Sequence, residues 1–188
     1  MGGDGRQGAG MAEMTGYVCN LVVPGAAKSG TSSLHSLLDR HPAICMSHPK
    51  EPHHFSMPDR FARGPEAHNA IFAAQGRDIR FYGESSTTYL VDEPSRHRLS
   101  RCLPGARIII IMREPVARTL SHHRWMTRLG FERRSLVRAI AENGHGFDPA
   151  HHWDGNYKSY LQFSNYSRYI PKWAETFGAD NVLLLRSE

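Results

Sequence analysis

The 188-residue sequence predicts an α/β fold, a central parallel sheet flanked by helices. Three observations carry this. Residues 107–112 (RIIIIM) form a near-continuous apolar run, the pattern of a strand buried on both faces of a parallel sheet. Strand-like and helix-like segments alternate along the chain, as a sheet built with right-handed crossovers requires. A glycine-containing turn, PGAAKSG, separates the first strand-like run from the first amphipathic segment. The composition, 40% hydrophobic, 22% charged and 10% aromatic, is ordinary for a globular chain and excludes wholesale disorder and fibrous repeats. The length suits one domain with a sizeable core.

Residues 1–16 hold six glycines and few apolar side chains and read as a disordered leader, leaving 17–188 as the domain. Order is expected from 17–23, a β-rich run ended by Pro24 and Gly25. The segment 31–40 places Leu34, Leu37 and Leu38 at i, i+3 and i+4, one face of a short helix stopped by His41 and Pro42. A short second strand fits 43–46, a Pro- and His-rich loop 48–65, and a helix 66–74. Residues 79–83 alternate as a strand does, and 94–103 have helical spacing before Pro104 and Gly105. The next helix, 115–129, starts on proline and stops at Gly130, the usual polarity of helix ends. A further helix is expected at 135–142, a loop at 144–155, and at 157–177 a helix that Pro171 breaks or restarts. Residues 182–185 close the sheet as a last buried strand. Neither an internal repeat nor a dividing linker is visible.

Lys and Arg outnumber Asp and Glu by 23 to 18, a net charge of +5. That favours an anionic ligand without choosing among nucleotide, nucleic acid and polyanionic sugar. The cysteines Cys19, Cys45 and Cys102 form no CxxC pair and read as small core residues in a reducing compartment. The twelve histidines show neither HExxH nor His-x3-His spacing, so no metal site is expected. No run approaches the ~20 apolar residues of a membrane helix. The N-terminus has no apolar signal region, and Arg6 stands where a myristoylation pattern needs Ser or Thr. A cytoplasmic protein is the resulting expectation.

The chemistry starts at Pro24-Gly-Ala-Ala-Lys-Ser-Gly-Thr-Ser-Ser33. Between a buried strand and an amphipathic helix, such a loop aims backbone N–H groups and a helix N-terminus at one anion. The triphosphate-binding pattern is G-x4-G-K-[ST]. Gly25 and Gly30 keep its glycine spacing, but Thr31 follows where lysine belongs, and the cation sits inside the loop as Lys28. A three-layer fold of P-loop NTPase-like type is expected, with the cation moved toward the first phosphate. The displaced lysine counts against an NTP-dependent kinase, for which Glu84 is the only candidate magnesium ligand at a strand end.

Gly25-Ala-Ala-Lys-Ser-Gly-Thr-Ser-Ser-Leu34 resembles the 5′-phosphosulfate loop of sulfotransferases that use 3′-phosphoadenosine 5′-phosphosulfate (PAPS). Arg113-Glu-Pro-Val-Ala-Arg-Thr-Leu-Ser121 is similar to that family's 3′-phosphate site. Pro49-Lys-Glu-Pro-His-His-Phe-Ser56 looks like the K-E-x-x-F-F segment of carbohydrate-type and bacterial members. Gly83-Glu-Ser-Ser-Thr-Thr-Tyr89 falls where several glycan sulfotransferases have E-K-T-P-x-Y, with Ser85 in place of the lysine. Ser164-Asn-Tyr166, ahead of Trp173, resembles the S-x-Y…W segment that follows the 3′-phosphate helix. The resemblance, which includes heparan sulfate sulfotransferase domains, spans roughly residues 17–186.

The resemblance implies in-line transfer of a sulfuryl group from PAPS to a hydroxyl or amine of a small-molecule or carbohydrate acceptor. The product is 3′-phosphoadenosine 5′-phosphate, no metal is needed, and neither nucleic acid nor membrane is a partner. Lys28 would neutralise the departing 5′-phosphate oxygen. Ser29, Gly30, Thr31 and Ser32 would hold the phosphosulfate, Arg113 and Ser121 the 3′-phosphate, and Tyr166 would touch the nucleotide. Glu51 would take the acceptor's proton, with His53 the rival base because its ordinary pKa lies nearer neutrality. Segments 53–78 and 130–156 would shape the acceptor pocket. The run Arg124, Arg128, Arg133, Arg134, Arg138 reads as a solvated helix face or an acceptor contact. Family members continue past the last strand into a helix and a Gly/Lys-rich loop, whereas this sequence stops at Arg186-Ser-Glu188, so it reads as the family domain without its C-terminal part. The rival function is a non-catalytic module that docks nucleotides or polyanions.

Overall fold

The computed structural model describes residues 16–73, 78–142 and 159–187. Residues 1–15, read above as a leader, and 143–158, read as a loop entering a helix, lie outside them. The strands are β1 (Leu21–Gly25), β2 (Ile44–Met46), β3 (Phe81–Ser85), β4 (Arg107–Met112) and β5 (Val182–Arg186). They form one sheet in the order β2-β3-β1-β4-β5, and every pairing is parallel. The helices are α1 (Thr31–Asp39), α2 (Pro58–Phe61), α3 (Gly64–Asn69), α4 (Glu93–Cys102), α5 (Pro115–Arg128), α6 (Leu136–Glu142) and α7 (Tyr166–Phe177). The expected α/β architecture is therefore the observed one.

Side chains alternate across each strand, and the sheet uses this to build its core. Val22 of β1 pairs with Ile108 of β4, and both are fully buried. On that face they join Leu99 and Leu103 of the α4 end and Tyr169, Trp173 and Phe177 of α7 in one apolar cluster. Trp173 donates its indole N–H to the Leu90 carbonyl at 3.2 Å, so the largest buried ring is also polar-satisfied. A side-chain cap fixes where α5 begins. Glu114 accepts from the amides of Val116 (2.9 Å) and Ala117 (2.6 Å), with Pro115 opening α5.

Several boundaries differ from the sequence reading, each for a local reason. The first strand begins at Leu21, not Tyr17, and runs through Pro24 and Gly25. Tyr17 instead packs its ring on His54, Phe55 and His68, and Asn20 bridges to Tyr82 N and Arg80 O through its side chain. The stretch read as loop at 48–65 contains α2 and the start of α3, because Pro58 and Pro65 each fit a first helical turn. The third strand lies two residues further on than 79–83. Pro171 sits inside α7 without ending it, and the helix starts only at Tyr166 after a single 3₁₀ turn, Gln162–Ser164. Burial of Trp173 and Phe177, whose rings stack at 5.4 Å, offsets the one backbone bond that proline removes. The last strand is not buried: β5 lies at the sheet edge, with Leu183 and Leu184 exposed at 53% and 44%.

Candidate active site

The carboxyl ends of β1, β3 and β4 reach the same sheet edge, with β1 between its two partners. Chain order reverses there, which is where open parallel sheets open a crevice for ligands. Two adjoining cavities occupy the crevice. One, of about 590 Å³, is lined by Ala27, Lys28, Gly30, Thr31, Ser32, Lys50, Glu51, His53, Thr87, Ser121 and Trp125. The other, of about 400 Å³, is lined by Lys28, Arg113, Ala117, Leu120, Ser121, Arg124, Trp125 and Arg128. Lys28, Ser121 and Trp125 border both. A third cavity, about 380 Å³, lies between α4 and α7 and includes none of the expected site residues.

The 25–30 loop is built to turn tightly. Ala26 N donates to Ile111 O at 2.8 Å, anchoring the loop to β4, and Ser29 N donates back to Ala26 O at 3.2 Å. Gly30 caps α1 with φ 95°, a left-handed conformation that glycine adopts without a Cβ penalty. Lys28 also has positive φ, 67°, an uncommon value for a residue with a side chain. Its ammonium lies 4.8 Å from the centre of the Trp125 ring. Burial lowers the Lys28 pKa, and the nearby charges of Arg128, Arg113 and Lys50 push the same way. A lysine surrounded by cations is a site that wants an anion. Arg113 reaches the Lys28 carbonyl through Nη1 at 3.4 Å, while its Nε and the Ser29 hydroxyl are buried with no hydrogen-bond partner. Orphaned polar atoms at the strand exit and in the loop are what a bound phosphate would satisfy, so the residues present fit a nucleotide phosphate.

The expected base candidates meet in the same cavity. Glu51 accepts from Thr87 N (2.8 Å), Thr87 Oγ1 (3.1 Å) and Lys50 Nζ (2.5 Å), and lies 3.6 Å from His53 Nε2. Ser121 faces both cavities from α5. Tyr166 lines neither. Its hydroxyl accepts from Arg113 N at 3.3 Å and donates to Arg113 O at 3.0 Å, so it reaches the site through Arg113. The arginine run divides: Arg124 and Arg128 border the smaller cavity, whereas Arg134 and Arg138 pair with Glu132 and Glu142.

Sequence reasoning missed Arg118, fully buried beneath the loop. It donates to Ala27 O (3.3 Å), Ser164 Oγ (2.5 Å) and Tyr160 O, tying the 25–30 loop to the segment before α7. Its place three residues after a proline helix start looks like any helix-surface arginine, and nothing local marks it. Glu84, considered above as a magnesium ligand, does not line the crevice. Its oxygens take bonds from His68 (3.3 Å), Ser86 (3.4 Å) and Tyr89 (3.2 Å). Cys19, His68 and Glu84 are the one group among the described residues with metal-ligand proximity, their ligand atoms all within 4.8 Å. They lie buried away from the two cavities.

A parallel α/β sheet with a tight glycine-bearing loop after its central strand defines a P-loop-like fold class. Within that class the chain is similar to sulfotransferases in both sequence and fold. A crystal structure of a sulfotransferase from Alicyclobacillus acidocaldarius superposes with a TM-score of 0.76 and 27% identity, covering 89% of this chain and 72% of that one. The membrane-associated sulfotransferase kil1 of Dictyostelium discoideum is 30% identical over 115 residues, 58% of this chain and 24% of that protein. Mouse heparan sulfate glucosamine 3-O-sulfotransferase 5 is 25% identical over 158 residues, 83% of this chain and 44% of that protein. The chain thus spans less than half the length of these curated relatives. No protein-family model matches it. Among the described residues, no helix is long and apolar enough to cross a membrane.

Proposed function

We propose that the chain carries the donor site and catalytic base of a sulfotransferase that moves a sulfuryl group from PAPS to a hydroxyl or amine of a small-molecule or carbohydrate acceptor. The observation that carries this reading is convergence. Lys28 from the loop after β1, Thr31 and Ser32 from the first turn of α1, Glu51 and His53 from a separate loop, and Ser121 from α5 border one cavity. PAPS would supply the activated sulfuryl group. Arg113 and Ser121 would hold its 3′-phosphate, with Arg113 offering a planar donor fork. The N-terminus of α1 and the Thr31 and Ser32 hydroxyls would hold the 5′-phosphosulfate. Lys28 would leave the Trp125 ring to neutralise charge developing on the leaving phosphate oxygen. Glu51 would receive the acceptor proton as the new O–S or N–S bond forms, with His53 beside it as the alternative base. Tyr166 would keep Arg113 in place. The free state of all three cysteines supports a reducing, cytoplasmic setting.

The test is a thermal-shift titration with adenosine 3′,5′-bisphosphate, and separately with ATP plus magnesium, on wild type and Arg113→Ala. At one hundred times its dissociation constant a ligand adds about 2.7 kcal/mol of stability. A rise with the bisphosphate that Arg113→Ala abolishes is expected. An equal or larger rise with ATP and magnesium, or a bisphosphate shift that survives Arg113→Ala, would overturn the reading.

A further inference from the structure

We infer that residues 85–89 act as a positioning template that holds the 51–55 loop in the conformation aiming Glu51 and His53 into the cavity, with Thr87 clamping the Glu51 carboxylate. The kinetic half of this inference rests on the function proposed above; its structural half does not.

The observation is a residue-by-residue match between two segments. Ser85 O accepts from Glu51 N at 2.9 Å. Ser86 Oγ accepts from His53 N at 3.0 Å. Thr87 gives its N–H to Glu51 Oε2 at 2.8 Å and its hydroxyl to Oε1 at 3.1 Å. Thr88 Oγ1 lies 3.2 Å from His53 Nδ1, leaving Nε2 toward Glu51. Tyr89 accepts from Phe55 N at 3.0 Å. Five consecutive residues thus each hold part of one short loop.

Two further facts say why the loop needs holding. Glu51 and His53 both have positive φ, 61° and 52°, which L-residues adopt only when their surroundings over-determine it. All five template residues are buried, at 0% to 6% exposure, where a hydroxyl without a partner is costly. Glu84 supplies the floor. Its Oε2 takes the hydroxyl protons of Ser86 and Tyr89, which turns their lone pairs toward the amides of His53 and Phe55. Ser85 Oγ, 2.9 Å from His35 Nδ1 on α1, couples the template to the helix that follows the phosphate loop.

The experiment compares Thr87→Val, which keeps the N–H but drops the hydroxyl, with Thr87→Ser, which keeps both donors. A hydrogen bond to a charged group predicts that Thr87→Val lowers kcat about tenfold or more. Its KM for PAPS and its affinity for adenosine 3′,5′-bisphosphate stay at wild-type values, and Thr87→Ser recovers most of the loss. Adding Thr87→Val to Glu51→Gln costs nothing further, because both changes remove one interaction. A second arm needs no activity: hydrogen exchange of the Thr87 amide, followed by NMR, rises in Glu51→Ala at unchanged melting temperature. An unmoved Thr87 amide, or a Thr87→Val variant that keeps its kcat or loses bisphosphate affinity in proportion, would overturn the template. A wild-type protein that transfers no sulfuryl group would overturn the proposed function instead, and the exchange arm would still decide the template.

Discussion

Replacing Arg118 by methionine should destabilise the domain by about 2 kcal/mol. The side chain is fully buried and its guanidinium holds Ala27 O, Tyr160 O and Ser164 Oγ. Methionine keeps much of the volume but strands the two carbonyls, at about 1–3 kcal/mol each, and removes about 1 kcal/mol of bonding at Ser164 Oγ, which keeps Thr119 Oγ1 and Pro115 O. Part of this is returned. Burial has already pushed the Arg118 pKa down to about 10, so removing the cation relieves roughly 3 kcal/mol of desolvation. The net loss would be a large share of a typical domain stability of about 5–15 kcal/mol. Arg118→Lys keeps the charge but gathers its donors on one nitrogen, and should cost about half as much. Because Ala27 adjoins Lys28, the lysine variant should also bind adenosine 3′,5′-bisphosphate more weakly while still folded. Urea denaturation gives the first number and calorimetric titration the second. A methionine variant within about 0.5 kcal/mol of wild type would show that the buried guanidinium does not hold the loop.

Two other outcomes follow from the same structure. Burial, and then the neighbouring His68, push the His54 pKa down to about 4 from its ordinary 6.5. The folded state therefore disfavours the charged ring: its contribution is complete above about pH 6.5 and is lost as pH falls toward 4, with a slope of at most about 1.4 kcal/mol per pH unit. Urea midpoints at pH 7, 5.5 and 4.5 should fall less steeply in His54→Gln than in wild type, and parallel slopes would refute the assignment. At Gly83 an added Cβ would lie 2.5 Å from Met46 Sδ and 3.1 Å from Leu21 Cδ2, so Gly83→Ala should cost about 1–3 kcal/mol by overpacking. Met46→Val in the same chain should recover part of it in thermal melts, and a neutral Gly83→Ala would mean the sheet face yields more than the packing implies.

Much of the architecture was legible because its signals are local. The 107–112 run became β4 residue for residue, and the proline at 115 opened α5 where expected. The glycine spacing at 25 and 30 located the tight turn between β1 and α1, and Lys28, Glu51, His53 and Ser121 share one cavity. Burial of β5 was misread because an apolar strand at a sheet edge and one at its centre have the same composition. Pro171 was misread because its effect depends on what α7 buries, not on the proline itself. Arg118 was invisible, as its partners are backbone carbonyls far away in sequence.

The sequence by itself determined the alternation of strands with most of the helices, the glycine-bearing turn after the first strand, and the residue types available for the proposed chemistry. Those follow from periodicity, proline and glycine geometry, and side-chain chemistry, all readable over a few residues. Only the tertiary structure decided which of those residues meet. It placed five hydroxyl-bearing residues in a row against the 51–55 loop and took Glu84 out of the crevice into a buried network. It also divided the arginine run between a cavity and ion pairs. The physical reason is that buried polar groups must find partners, and those partners lie wherever the sheet register brings distant segments together.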